Sequence, residues 1–398
     1  MCLADVPPEV GGPVRALLQK TSLKEYLHRR PPSHVVTLDV NTTVGEALNQ
    51  LATYNILSAP LFDKSTGAYL GFLDRKDLLS YVLQNVDVRK ISQEELAYRL
   101  RTAGARMAKL KLSNVQVGDD GEMIHRANVR HTLLEVMRYC MAGGKGRETH
   151  RMAVFDLEEE GAAGDGGGGQ PLEECEGGGG GEAEGQDQNW AEDEDLELGD
   201  ASPRLRLHVT SIVSQSDIIR FLHKHKDQCG LVMAMPVHAL GLAAKQVVCV
   251  PCDMPAINAF ATMDACEVSS VGIVDQRNGG CLVANLSASD LRGLEPHHFG
   301  ALSLPVFQFM QLRRTREGWP SKAAAGKAGW GLKDEWGLKG AERRGVRKQL
   351  VAVRPLEPLF AAVDAIVTNK VHRVYVVDDD SHPLSIITIS DIFNLFRP

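Results

Sequence analysis

Three acidic residues stand three positions after a hydroxyl: Ser214 before Asp217, Ser287 before Asp290, and Thr388 before Asp391. Each opens an apolar run with helical spacing. A carboxylate at a helix start can accept hydrogen bonds from both hydroxyls of a ribose, as the acidic residue of dinucleotide-binding folds does. The hydroxyl adds a polar group in the same cleft, and the helix N-terminus behind it favours an anion. Asp77 holds the equivalent place after Gly71-Phe-Leu-Asp74. Two dipeptides, His150-Arg151 and His372-Arg373, precede short apolar strands. Arg offers a fixed fork of donors for phosphate oxygens, and His a donor that strengthens on protonation. Ribose acceptors beside phosphate donors point to a nucleotide. The same Ser/Thr-x-x-acid spacing is also a capping box, which satisfies backbone N–H groups at a helix start. The two readings are compatible, because a capped N-terminus can face a cleft.

The elements that position these residues recur. APLFD with YLGFLDRKDLLSYVL, HRMAVFD with LHVTSIVSQSDIIRFL, VGIVD with LVANLSASDLRGL, and VHRVYVVD with IITISDIFNLF each read as a strand, a turn, a second strand and a helix. Each is preceded by a short strand, at 35–37, 123–125, 247–249 and 350–352, and then by helical periodicity. Thr43 precedes Val44, Ala47, Leu48 and Leu51, and Thr132 precedes the matching segment of the second unit. The chain is therefore expected to be α+β, with four β-α-β-β-α units in two intramolecular pairs. The boundaries read as an N-terminal segment 1–34, then units at 35–88, 120–225, 240–300 and 349–398.

The units are not equal. The first carries Asp74 where the others carry Ser or Thr, and two carboxylates there would repel a phosphate. It has Leu57-Ser58 in the His-Arg position, and the third unit has Ser269-Ser270. The third and fourth units could share His372 and Arg373, leaving one to three working sites.

Two inserts hold most of the charge imbalance. Residues 158–200 contain 16 acidic and 13 Gly residues among 43, with no Lys or Arg. Such a stretch cannot bury enough apolar surface to fold, so 157–203 is expected to be a disordered insert in the hairpin of the second unit. Segment 313–348 has 11 Lys or Arg against 4 acids and reads as a basic low-complexity linker. Its three tryptophans do not outweigh its Gly, Ala and acids, so no nucleic-acid partner is expected. The whole chain, 398 residues, carries a formal charge of −7.

Eight scattered cysteines suit a reducing compartment, and Cys249-Val-Pro-Cys252 lacks a second ligand pair, so no metal is expected. No apolar run is long enough for a membrane helix, and no leader is read at the N-terminus, giving a cytoplasmic or nuclear expectation. No P-loop, H-E-x-x-H or G-x-S-x-G occurs, and no nucleophile–base pair can be located by sequence. No catalytic residue and no cofactor is expected.

The residues VHRVYVVD, LVANLSASDLRGL, HRMAVFD and IITISD resemble the CBS domain, a nucleotide-binding module that works in pairs. Four in one chain resemble the γ regulatory subunits of AMP-activated and Snf-type protein kinases, and LSASDLRGL is most similar to the plant and green-algal branch. The resemblance implies AMP, ADP and ATP as ligands, and a kinase α catalytic subunit and β scaffold as partners. It also implies that residues from one unit complete the cleft of its partner. The alternative is a CBS-type adaptor that binds nucleotide or protein without a kinase.

Overall fold

A computed structural model describes residues 8–30, 35–87, 91–114, 126–127, 129–139, 150–157, 207–312 and 350–396. Residues 158–203 of the acidic insert, the basic insert 313–348 and all four tryptophans lie outside the described residues.

Two helices, α1 (Pro8–Lys20) and α2 (Leu23–His28), precede the first unit. That unit is β1 (Leu38–Asp39), α3 (Val44–Thr53), β2 (Ser58–Asp63), β3 (Ala68–Asp74) and α4 (Arg75–Asn85). Helix α5 (Gln93–Met107) follows. The second unit is β4 (Arg126–Ala127), α6 (Leu133–Tyr139), β5 (Arg151–Leu157), β6 (Leu207–Ser214) and α7 (Gln215–Lys224). The third has β7 (Cys249–Pro251), α8 (Ala256–Ala265), β8 (Ser270–Asp275) and β9 (Cys281–Ser287). After a 3-10 stretch at Pro296–Ser303 and α9 (Val306–Leu312), the fourth follows. It is β10 (Ala352–Val353), α10 (Leu359–Thr368), β11 (Arg373–Val377), β12 (Pro383–Thr388) and α11 (Ile389–Asn394). Each unit holds one three-stranded sheet, its first strand parallel to its second.

The expected repeat is present, with two local differences. The opening strands fall two or three residues later than expected in units one to four: Leu38 pairs with Leu61 and Ala352 with Tyr375. These strands are two or three residues long, so partner register outweighs local β propensity. In the third unit the expected helix after Ser287 is a single 3-10 turn, Ala288–Leu291, which ends where Arg292 turns extended. Pro296 then opens the next 3-10 segment.

Helix starts follow the sequence. Thr43 and Glu46 form a reciprocal capping box on α3, and Val44, Ala47, Leu48 and Leu51 form its buried face. Thr132 and Glu135 make the same exchange on α6 (Thr132 N to Glu135 Oε2, 2.6 Å).

The expected pairs, units one with two and three with four, meet through their sheets; the second set of neighbours was not legible in the sequence. Tyr69 stands edge-on to Phe155, centroids 5.5 Å apart, and Leu282 clusters with Tyr375 and Val377. Helices meet across the other diagonal. One apolar core joins Leu48, Leu78 and Val82 of unit one to Ile257, Phe260 and Leu286 of unit three. The other joins Ile218 and Leu222 of unit two to Val363, Ile392 and Phe393 of unit four, with Val14, Leu18 and Leu23 of the N-terminal helices. Each unit thus has one neighbour through its sheet and another through its helices, and the four close a ring. Helix α5 braces it against Pro296–Ser303. At Gly104 an added Cβ would lie 2.6 Å from the Pro296 carbonyl oxygen, so only Gly allows this approach.

Candidate functional site: helix-start carboxylates around a cationic hub

The helix-start acids are capping groups, and each cap uses chiefly one carboxylate oxygen. Asp391 Oδ2 accepts from Thr388 N (2.8 Å) and Thr388 Oγ1 (2.7 Å), while Asp391 N donates back to Thr388 Oγ1 (3.2 Å). Asp217 Oδ2 accepts from Ser214 N (2.8 Å) and Oγ (2.6 Å). Asp290 Oδ2 accepts from Ser287 N (2.8 Å) and Oγ (3.2 Å). The cap is therefore compatible with a second role for Oδ1.

That second oxygen differs between units. At Asp391 the Nζ of Lys245 lies 3.2 Å away, reaching in from the segment that leads into unit three. Asp217 is filled by the chain itself. Its Oδ1 receives Arg220 (2.7 Å) and the Tyr26 hydroxyl (3.2 Å), and Arg30 stands at 3.4 Å. Tyr26 also packs edge-on to Phe221, and burial with the neighbouring carboxylate pushes its hydroxyl up to about 12. A ribose at Asp217 would have to displace Tyr26. The side chain of Asp77 lies outside the described residues.

The His-Arg positions sit against these caps. The carbonyl of His150 accepts from Gln215 N (3.2 Å) and that of His372 from Ile389 N (3.2 Å). Ser269, the matching residue of unit three, accepts from Ala288 N (3.1 Å). Each places the residue before the central strand at the next helix N-terminus, beside the capping acid.

The arginines then cross to the partner unit. Arg151 donates to Ser58 and stands 3.5 Å from Asp74. Arg373 donates to Ser269 (2.9 Å). In both pairs the second unit supplies the guanidinium and the first a serine. Asp74 thus neutralises Arg151, although the sequence had suggested only repulsion of phosphate there. Arg373 is half-buried, and this desolvation lowers its pKa, while Tyr375, Asp290 and Asp391 pull the other way.

Three arginines and a second histidine bear electrostatically on His372. Its side chain is exposed to solvent, although neighbouring atoms crowd one side of the ring. Burial first, then the charges of Arg373, Arg151, His150 and Arg292, push it down to about 4. At neutral pH the ring is uncharged, and it becomes the stronger, protonated donor only when an anion offsets its neighbours. Arg292 and Lys245 were missed by sequence reading. Arg292 had a signal. It is five residues after Ser287, where the other units carry the buried apolar residues Leu79, Ile219 and Phe393. A charge on an otherwise buried face is a functional signal. Lys245 lies in a connector and had none.

Ser269 and Ala288 also line a small, nearly filled depression with Leu79, Phe260 and Met263. Among the described residues no cluster of His, Cys, Asp and Glu could hold a metal ion, and no helix is long and apolar enough to cross a membrane.

Comparison with known proteins agrees with this architecture. The CBS domain family matches residues 24–84 and 344–397. No curated protein sequence matches the chain. A Methanocaldococcus jannaschii crystal structure, described as a candidate archaeal homologue of γ-AMPK, is 12% identical, with TM-score 0.53, covering 93% of this chain and 99% of its own. A conserved Pyrococcus horikoshii protein is 11% identical, with TM-score 0.41, over 92% and 96%. A CBS-domain pair solved with 5′-methylthioadenosine and S-adenosyl-L-methionine is 15% identical, with TM-score 0.26, over 39% and 92%. Residues 24–84 and 344–397 carry CBS domains, in a chain that shares the overall fold of the archaeal protein.

Proposed function

We propose that the chain is an adenine-nucleotide-binding regulatory subunit of the γ type, acting on a Snf-type or AMP-activated protein kinase through an α catalytic and a β scaffold subunit. The observation that carries the nucleotide part is that Arg373 donates to Ser269, and that Ser269 and His372 each meet the helix start capped by Asp290 or Asp391, with Arg151 and Arg292 adding positive charge at His372. Phosphates would occupy this hub, where charge-assisted bonds are strongest. A ribose would take Oδ1 of Asp391, exchanging with Lys245.

AMP, ADP and ATP differ mainly in charge and reach at the hub. A longer phosphate chain draws more cations inward, and binding that favours one arrangement of the ring shifts the equilibrium between arrangements. Couplings of roughly 1–3 kcal/mol are typical of such switches. The kinase part rests on the motif resemblance. The reading includes no catalysis by this chain and a cytoplasmic or nuclear setting.

Calorimetric titration of AMP, ADP and ATP into the protein and into Arg373→Ala tests it. Micromolar binding that the variant loses is the expected result. Absence of heat with all three nucleotides would sink the reading in favour of a scaffold. Co-purification of a kinase α subunit and β scaffold with the tagged chain tests the kinase assignment separately.

A further inference from the structure

The turn of the β11–β12 hairpin holds a grouping that the nucleotide site does not use. Asp378 ends β11, and its Oδ1 accepts from His382 N (2.7 Å) and Asp380 N (3.0 Å). Its Oδ2 lies 3.0 Å from His382 Nδ1. The backbone bond from His382 is the main reason this carboxyl is held below the usual carboxylate range. An ionised carboxylate at Nδ1 keeps the proton there and leaves Nε2 as the bare nitrogen. That nitrogen lies 3.9 Å from Cys281 Sγ, the first residue of β9 in the third unit. The thiol also donates to the Asp380 carbonyl (3.2 Å), so one rotor serves both acceptors. Leu282 N to Ser381 O (2.9 Å) pins the two segments together.

We propose that Cys281, His382 and Asp378 form a reactive-thiol site that undergoes exchange with small disulfides. Nucleophile, base and orienting carboxylate stand in the order used by thiol enzymes, at the looser spacing common without ligand. The His382 ring is 40% exposed, and Gly279, at φ 68, has no side chain to cover Nε2: a Cβ there would lie 3.7 Å from it. Reagent therefore has access from the Gly279 side.

The step balances as follows. Nε2 takes the proton from Cys281 as sulfur attacks one sulfur of the disulfide. A new S–S bond forms, the old one breaks, and the leaving thiolate takes the proton from the imidazolium. Cys281 is oxidised to the mixed disulfide, the retained half of the reagent keeps its oxidation level, and the other half is reduced and leaves as a thiol. Leu282 belongs to the cluster between the third and fourth sheets, so the adduct would sit at a joint of the ring. The site does not depend on nucleotide binding.

The other described cysteines serve as internal controls. Cys266 is exposed, whereas burial raises the thiols of Cys249 and of Cys229, the latter to about 11. The full-length protein is treated with dithiodipyridine at neutral pH, and mixed disulfides are located by peptide mass spectrometry over time. Cys281 is expected to react about tenfold or more faster than Cys266, a modest share of what general-base assistance provides. His382→Gln should abolish that lead, and Asp378→Asn should reduce it. Both changes lie on a half-exposed turn, and Cys266 labelling in each variant reports intact folding. A Cys281 rate at or below that of Cys266, or one unchanged in His382→Gln, would overturn the proposal.

Discussion

Lys245 reaches Asp391 from outside the fourth unit, its Nζ 3.2 Å from Oδ1. Arg30 does the same to Asp217 at 3.4 Å, from the segment that leads into the first unit. In each pair, the connector entering the first unit lays a cation on the helix-start acid of the second. The Lys245 pair is exposed enough that it adds about 0.2–1 kcal/mol at most. Its larger effect is competitive, because a ribose hydroxyl and the ammonium seek the same oxygen. Lys245→Met should leave thermal stability nearly unchanged and tighten adenosine, which has no phosphate, by a few-fold in calorimetry. Weaker adenosine binding would make Lys245 a ligand contact instead of a competitor.

Cap and binding roles of Asp391 can be separated by substitution. Asparagine keeps an oxygen for the Thr388 amide, whereas alanine removes the carboxylate half of the capping box and leaves only the bond from the residue 391 amide to Thr388 Oγ1. Asp391→Ala should cost about 0.5–2 kcal/mol in urea unfolding. Asp391→Asn should cost less, yet both should lose AMP affinity by about tenfold or more, the scale of a lost charge-assisted bond. Equal destabilisation by the two would place the structural role in the Lys245 pair.

The hub predicts a pH dependence. In the folded chain His372 is held near 4, while its unfolded value is about 6.5. Between those limits the unfolded chain binds the extra proton, so stability falls as pH drops through this window. His372→Gln should flatten that part of the curve. A bound phosphate raises the pKa of the ring, so nucleotide binding at about pH 6 should take up a proton and strengthen on acidification. Calorimetry in two buffers of different ionisation enthalpy reads this directly; identical heats would remove His372 from the phosphate site.

Much of this was legible in the sequence, for local reasons. The Ser/Thr-x-x-Asp spacing, the His-Arg pairs and the capped helix at Thr43 are set by backbone geometry within a few residues. What was not legible came from long range. That helix faces join unit one to three and two to four depends on complementary surfaces, which periodicity does not encode. The depressed pKa of His372 follows from burial first and then from charges supplied by three units, and no local window contains them. The grouping of Cys281 with His382 spans the joint between two units for the same reason.

Gly104 tests the brace behind the ring. Its missing side chain lets α5 approach Pro296 and Phe299, where a Cβ would stand 2.6 Å and 2.9 Å from the nearest atoms. Neither a backbone carbonyl nor a buried ring yields cheaply. Gly104→Ala gains helix propensity, but overpacking should outweigh it, for a net loss of about 1–3 kcal/mol in urea unfolding. A stabilised variant would show that α5 is free to move away.

Tyr26 raises the question of how many nucleotides the ring holds. Its hydroxyl, with Arg30 and Arg220, fills the Asp217 carboxylate, and Leu23 anchors the same helix in the core of units two and four. The second unit should therefore bind nothing in the native chain, although its sequence motif is complete. Tyr26→Phe removes one hydrogen bond and should cost about 1 kcal/mol. It keeps the ring over Phe221, so the site stays closed. Tyr26→Ala removes both ring and hydroxyl and should reveal one additional, weaker AMP site in the calorimetric stoichiometry. If the native chain already fills the second unit, shown by a loss of one equivalent in Asp217→Asn, then Tyr26 gives way to ligand on its own and the helix is a lid.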